Sequence, residues 1–249
     1  MGSLAGCILM KELGNMPMLF ILSDAAFNYS GLVTIGDMPN VQKIPYQCFT
    51  NSSNLETIGD LSGVTLIATQ AFDECTKLKS IQLSSNCTEI LSRFSNCTNL
   101  TSLGDLSGVI SLASGCFDNC TSLVSTNLNN LQVINDGTFS RCTSLTDAGT
   151  TNKLTTIGNY AFNSCAKLPT IDLSNVTSIG NYAFSNCLLL DNLTFNDNLT
   201  MIGYKAFDNT TWYNKQSTGI IKLGKVLYTC KGTLADKNIT ISEDVVYIT

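Results

Sequence analysis

The sequence predicts a repeat solenoid, a stack of short rungs that each add one strand to a parallel sheet. Three observations lead there. A Phe-x-x-Cys-x-x-Leu element recurs six times in one phase, at Phe72, Phe94, Phe117, Phe139, Phe162 and Phe184. Weaker copies at Phe27, Phe49 and Phe207 extend the series in alternating steps of 22 and 23 residues. Charged residues are only 13% of the 249 residues while Asn, Ser and Thr abound, so the surface is built from amides and hydroxyls and not from the roughly 25% charge of ordinary globular chains.

Each part of the repeat has its own reading. Five residues before most of the phenylalanines sits an aliphatic anchor (Ile44, Ile67, Leu112, Ile134, Ile157, Ile179, Ile202), often followed by Gly-x-x-Ala-Phe as in Gly158 to Phe162. After the Phe and Cys comes Leu-x-x-Ile-x-Leu, clearest in Leu78-Ile81-Leu83 and Leu168-Ile171-Leu173, whose alternation reads as a strand. The longer copies carry Gly-Asp-Leu-Ser-Gly-Val (Gly59 to Val64, Gly104 to Val109), two blocks 45 residues apart, which points to duplication of a two-rung unit. A period in the low twenties with such strands is the sign of a leucine-rich-repeat solenoid. The expected form is a curved, right-handed α/β or mostly β stack with a parallel concave sheet. About eleven rungs at ~4.8 Å each would make a rod roughly 50 Å long.

The combination Leu-x-x-Ile-x-Leu, then Ile-Gly-x-x-Ala-Phe-x-x-Cys, resembles the BspA-like (Treponema pallidum type) leucine-rich repeat, over nearly the whole chain. The segment from Trp212 through Gly219, Gly224 to Tyr228 and Lys231-Gly232 also resembles an insertion recurrent in that family. Read from its residues, Ile220 to Leu223 and Val226 to Tyr228 are two strands around Gly224, so a hairpin-like insertion is expected at about 212–238 within a single domain spanning 1–249. The resemblance implies a cell-surface or secreted protein associated with adhesion.

Both ends read as cut. Leu4 to Met10 keep the repeat phase 23 residues before Phe27, and Val245 to Thr249 start another aliphatic element. Without polar caps, the expectation is a piece of a longer chain, or end rungs open to end-to-end self-association. No run is apolar and long enough to span a bilayer, and no basic stretch opens a signal peptide. Leu4-Ala5-Gly6-Cys7 matches a lipoprotein box but lacks the preceding apolar region, so the repeat reading is preferred.

There is no histidine, which removes His-based acid–base and nucleophile arrangements, and no phosphate-cradling or nucleophile-elbow motif occurs. An enzyme is not expected, and neither is a cofactor. A net charge of -5 with scattered Lys and Arg argues against nucleic acid. The cysteines at Cys75, Cys97, Cys120, Cys142, Cys165 and Cys187 read as a column of buried thiols in preference to bridges or redox groups, because equivalent side chains on stacked rungs point parallel to one another. Asp37, Asp60, Asp105 and Asp172 read as turn carboxylates in preference to a calcium row. Trp212 is either an exposed anchor or the tie between hairpin and last rung.

The function expected is binding. The strand residues between the inward aliphatics face the concave side: Ser80 and Gln82, Ser102, Ser125 and Asn127, Asp147, Thr170 and Asp172, then Asn192 and Thr194. They make a polar, weakly acidic strip suited to a protein or glycan partner through many weak contacts. The alternative is a passive spacer within a longer surface protein.

Overall fold

The computed structural model describes residues 4–127, 129–149, 151–232, 241, 245, 247 and 248. It is a parallel-strand β-solenoid of about ten turns with the expected spacing. The mostly β alternative is the one realised, since a single helix, Thr211–Lys215, occurs among the described residues. About ten turns stand where eleven were expected, because the hairpin near the end occupies the place of a rung.

Two strand ladders run along the stack. The first joins Glu12–Leu13, Thr34–Ile35, Thr57–Asp60, Ser80–Leu83 and Ser102–Gly104 in order, all in parallel. The second carries the aliphatic anchors, from Lys43–Ile44 to Ser111–Leu112 and again from Val133–Ile134 to Met201–Ile202. It breaks between Leu112 and Val133 for a local reason. Elsewhere the residue after the anchor donates its backbone N–H to the preceding anchor's carbonyl, as Ala113 does to Ile90 and Gly158 to Ile134. At the break the Asn135 side-chain Nδ2 takes the Leu112 carbonyl instead, at 2.6 Å.

Between the ladders lies the core. Nine phenylalanines, Phe27 to Phe207, stack in one unbroken column with ring centroids 4.9 Å (Phe72 and Phe94) to 5.5 Å (Phe94 and Phe117) apart. The rings are essentially inaccessible to water. Each such pair adds about 0.5–1.5 kcal/mol beyond the burial of its surface. The backbone runs in parallel with the rings: the N–H of Phe139 donates to the Ala161 carbonyl, that of Phe162 to Ala183 and that of Phe184 to Ala206.

The repeated cysteine has a definite job beside this column. The Cys75 Sγ donates to the Phe49 carbonyl at 3.1 Å, and Cys97, Cys120, Cys142, Cys165 and Cys187 do the same to the phenylalanine of the rung before. At the equivalent place in an earlier rung Ser52 makes the same bond to Phe27 at 2.7 Å, so the position selects a small buried donor. All eleven cysteines are free thiols, and the column is buried as the sequence suggested. Close rung packing also explains the Gly of Gly-x-x-Ala-Phe. A Cβ on Gly180 would lie 2.5 Å from the Asn159 backbone nitrogen.

Past Phe207 the stack is met by the helix and a hairpin, Gly219–Leu223 with Val226–Lys231. The Phe207 N–H, which would reach the next rung's carbonyl, donates instead to the Tyr228 hydroxyl at 2.9 Å. Burial pushes the Tyr228 phenol well above its ordinary range, so it stays protonated. Trp212 ties the helix to the last rung, its ring 5.1 Å from Phe207 and 5.5 Å from Phe195. The second hairpin strand lies against Met201–Ile202 and pairs in parallel with Tyr247–Ile248. Residues 233–238 of the expected insertion lie outside the described residues, as do Val246 and Thr249 of the terminal element.

Two predictions come from this packing. Tyr228→Phe keeps the ring but strands the buried Phe207 N–H, and should cost about 1–3 kcal/mol in denaturant unfolding. Burial raises the thiols of Cys75, Cys97, Cys120, Cys142 and Cys165 far above the ~8.5 of an unfolded chain. Their neutral form is therefore favoured by folding. Their stabilising effect is complete below about pH 8.5 and falls as pH rises toward the folded values, by up to about 1.4 kcal/mol per thiol per pH unit. Cooperative unfolding on alkaline titration, with Cys230 labelled promptly by a thiol reagent and the column labelled only on unfolding, is the expected result. Cys120→Ser with Cys142→Ser should flatten the pH dependence.

Candidate functional site

The strand face read as concave is built by alternation. Ile81, Leu103 and Ile171 point into the core and are at most 5% exposed. Their neighbours Gln82, Ser102, Thr170 and Asp172 point outward and are exposed, while Ser80 is half-buried. In the two rungs between, the inward position holds Thr126 and Ala148, both buried. These shorter side chains fill less of the core. The strand ladder there shrinks to one isolated bridge, Ser125 to Asp147, and Thr126 satisfies its hydroxyl on the Ala148 carbonyl at 3.4 Å.

The consequence is a dent in the face. One depression of about 300 Å³ brings Ser102, Ser125, Asn127 and Asp147 together above Thr126. A second of about 370 Å³ adjoins it through Asp147 and Gly149 and carries Thr170, Asp172, Asn192 and Thr194. Eight of the ten residues expected on this strip thus line one continuous polar surface, while Ser80 and Gln82 lie on the earlier strand Ser80–Leu83, outside both depressions.

Several of these groups are partly committed to the fold. The Asp147 Oδ1 accepts from the Gly149 N–H at 2.7 Å and the Asp172 Oδ1 from the Ser174 N–H at 2.9 Å. Asn127 accepts from the Asn129 N–H at 3.3 Å, and the Ser102 hydroxyl from Gly104 at 3.2 Å. Asp60 and Asp105 make the same turn with Ser62 and Ser107, and Asp37 holds the Asp60 N–H. Asp60, Asp105 and Asp172 are therefore turn carboxylates in their hydrogen bonding, while Asp37 departs from that expectation and bonds across to the next rung.

A second surface lies on the anchor-to-Phe turn, and the sequence reading did not single it out. Two residues before eight of the nine stacked phenylalanines, all but Phe94, the backbone is left-handed, at Ala25, Gln47, Gln70, Gly115, Gly137, Tyr160, Tyr182 and Lys205. Gly115 and Gly137 take this conformation freely, while a bulky residue in a sparsely populated region costs about 1–3 kcal/mol. Tyr160 and Tyr182 nonetheless occupy it, with φ of 55° each. Their rings stack at 5.0 Å and 9°, and Tyr204 meets Tyr182 edge-on at 5.6 Å. Together with Gly115 and Gly137 they line a trough of about 600 Å³. The signal was present in the sequence as Gly-Asn-Tyr-Ala-Phe, which occurs twice, at Gly158 and Gly180.

A family model and one solved structure agree with this architecture. The leucine-rich-repeat protein of T. pallidum is 25% identical and superposes with a TM-score of 0.52, covering 64% of this chain and 72% of its own. A leucine-rich cell surface protein of Faecalibacterium prausnitzii (21% identity, 80% of this chain and 66% of its own, TM-score 0.48) is also similar. So is a leucine-rich-repeat protein of Eubacterium ventriosum (17% identity, 84% and 86%, TM-score 0.44). No curated protein matches the sequence. The family model described as the BspA type leucine rich repeat region matches residues 5–124 and 110–221, in six copies. That match spans most of the sequence, and the chain belongs to the BspA-type leucine-rich-repeat family.

Proposed function

We propose that this chain is a macromolecular binding module of adhesin type, displayed at the cell surface or secreted, that takes a protein or glycan of a host or neighbouring cell on its first strand face. The observation that carries the reading is the pair of adjoining polar depressions around Asp147, which gathers Ser125, Asn127, Thr170, Asp172, Asn192 and Thr194 into one surface. Hydroxyl, amide and carboxylate groups on a rigid frame offer many modest hydrogen bonds at little ordering cost, the economy of a broad recognition surface. Membership in a leucine-rich-repeat family agrees with such a role. A spacer role is the second reading, favoured by the unbroken phenylalanine column, which makes a stiff rod whatever the surface does.

The test is binding of the purified chain to an array of extracellular-matrix proteins and glycans. Ser125, Thr170 and Asn192 line the depressions, and changing all three to Lys leaves the turn aspartates in place. Saturable binding that weakens at least tenfold in the triple variant, with its melting temperature unchanged, is expected. Binding indifferent to the variant, or none at all, would transfer the role to the spacer.

A further inference from the structure

The tyrosine trough on the second surface is a separate site, and we infer that it takes a neutral, linear oligosaccharide whose sugar ring packs on the open face of Tyr160. The stack Tyr160–Tyr182 follows the rung order, so the face of Tyr160 away from Tyr182 looks toward the rung of Gly137. At that rung and the one before it the equivalent residues are Gly137 and Gly115, which carry no side chain to continue the stack. A Cβ built on Gly137 would meet nothing nearer than the Gly115 Cα at 3.9 Å, so the space beyond Tyr160 is open. The other end of the row is closed. Tyr204 turns edge-on, and the Lys205 ammonium sits 5.5 Å from its ring centroid.

Two rungs therefore lack the ring that two later rungs provide, and a flat ligand ring of matching size would complete the column. The surroundings choose between a sugar and an aromatic side chain. Ser95, Ser114, Asp136 and Asn159 border the same trough. A pyranose presents C–H groups to the electron-rich ring face and hydroxyls to such a border, where the Asp136 carboxylate keeps lone pairs beyond the two bonds it accepts from Asn159, whereas an aromatic ring would strip water from that carboxylate and return no hydrogen bond. The row is also held in place. Asp136 Oδ1 accepts from the Asn159 N–H at 2.7 Å, Asn159 Oδ1 from the Asn181 N–H at 2.8 Å, and Asn181 Oδ1 from the Tyr204 N–H at 2.7 Å. Charge argues for a neutral ligand. Asp136 and Asp118 stand in the trough, Asp118 paired with Arg141 at 2.5 Å, and Arg93 is the single cation among the lining residues. These charges offset one another, so a polyanion would find no surplus of positive charge there. The volume of about 600 Å³ lies within the ~300–1,000 Å³ of small-ligand sites.

The experiment is isothermal titration of the full chain with cellopentaose, laminaripentaose and mannopentaose at millimolar concentration. Tyr160→Gly deletes the ring at a position whose left-handed backbone suits glycine, so the fold is spared. Gly137→Trp fills the trough. At least one probe is expected to bind, with affinity about tenfold weaker in Tyr160→Gly and abolished in Gly137→Trp, both variants melting as cooperatively as the parent. The Ser125, Thr170 and Asn192 triple variant should bind the same sugar undiminished, which separates this site from the strand face. Absence of binding by all three probes, binding unchanged in Tyr160→Gly, or binding lost in the triple variant would each overturn the assignment.

Discussion

Along the stacked rungs a side chain has a copy of its own position about 5 Å away, because the backbone hydrogen bonds between rungs fix the step. That constraint decides which residues can repeat. Phenylalanine can, since rings stack on one another, and thiols can, since each donates to a carbonyl of the preceding rung and not to its own copy. Threonine can as well: the hydroxyls of Thr155, Thr177 and Thr200 reach the carbonyls of Gln132, Thr155 and Thr177. Charges do so at a cost, because like charges at that spacing repel. Asp37 and Asp60 repeat with the first carboxylate taken up by the second residue's N–H, and elsewhere charges face across rungs as opposite pairs, such as Lys79 with Glu56 and Arg141 with Asp118. A surface of Asn, Ser and Thr with little charge is the composition this geometry selects.

The same constraint explains what the sequence made legible. Phe, Cys, the aliphatic anchors and the strand leucines had to recur in phase, so their burial could be read from spacing alone, and the structure places them accordingly. The hairpin strands were readable from Gly224 between two apolar runs, and they extend to Gly219–Leu223 and Val226–Lys231. What could not be read was the continuity of each ladder. Nothing in the spacing says that Asn135 would satisfy Leu112 with its side chain, or that the Tyr228 hydroxyl would replace a carbonyl above Phe207. These are substitutions of one hydrogen-bonding group for another at a fixed place, invisible until the place is known.

The outward strand residues were legible from alternation, since Ile81, Leu103 and Ile171 fixed which neighbours face out. The dent at Asp147 was less so. It depends on Thr126 and Ala148 standing where the other rungs put larger aliphatics, a deviation that matters only once the inward position is identified. The tyrosine row escaped notice for a related reason. Gly-Asn-Tyr-Ala-Phe looks like one more copy of the anchor turn, and exposure of the ring follows from a left-handed backbone two residues before the Phe that periodicity does not announce.

In a solenoid that satisfies itself by repetition, recognition has to come from places where repetition fails. Where a ladder continues, each group is already matched by its neighbour and has little left to offer a partner. Two departures sit side by side in the chain. On the first strand face Thr126 and Ala148 thin the core beneath Ser125 and Asp147. On the anchor turn Gly115 and Gly137 leave the tyrosine column open at Tyr160. Both fall on the rungs of Phe117 and Phe139, whose rings stack at 5.4 Å with the rest of the column intact beneath them. The frame is kept rigid where its two surfaces are interrupted, and a partner that supplies the missing ring or the missing hydrogen bonds would be completing the repeat itself.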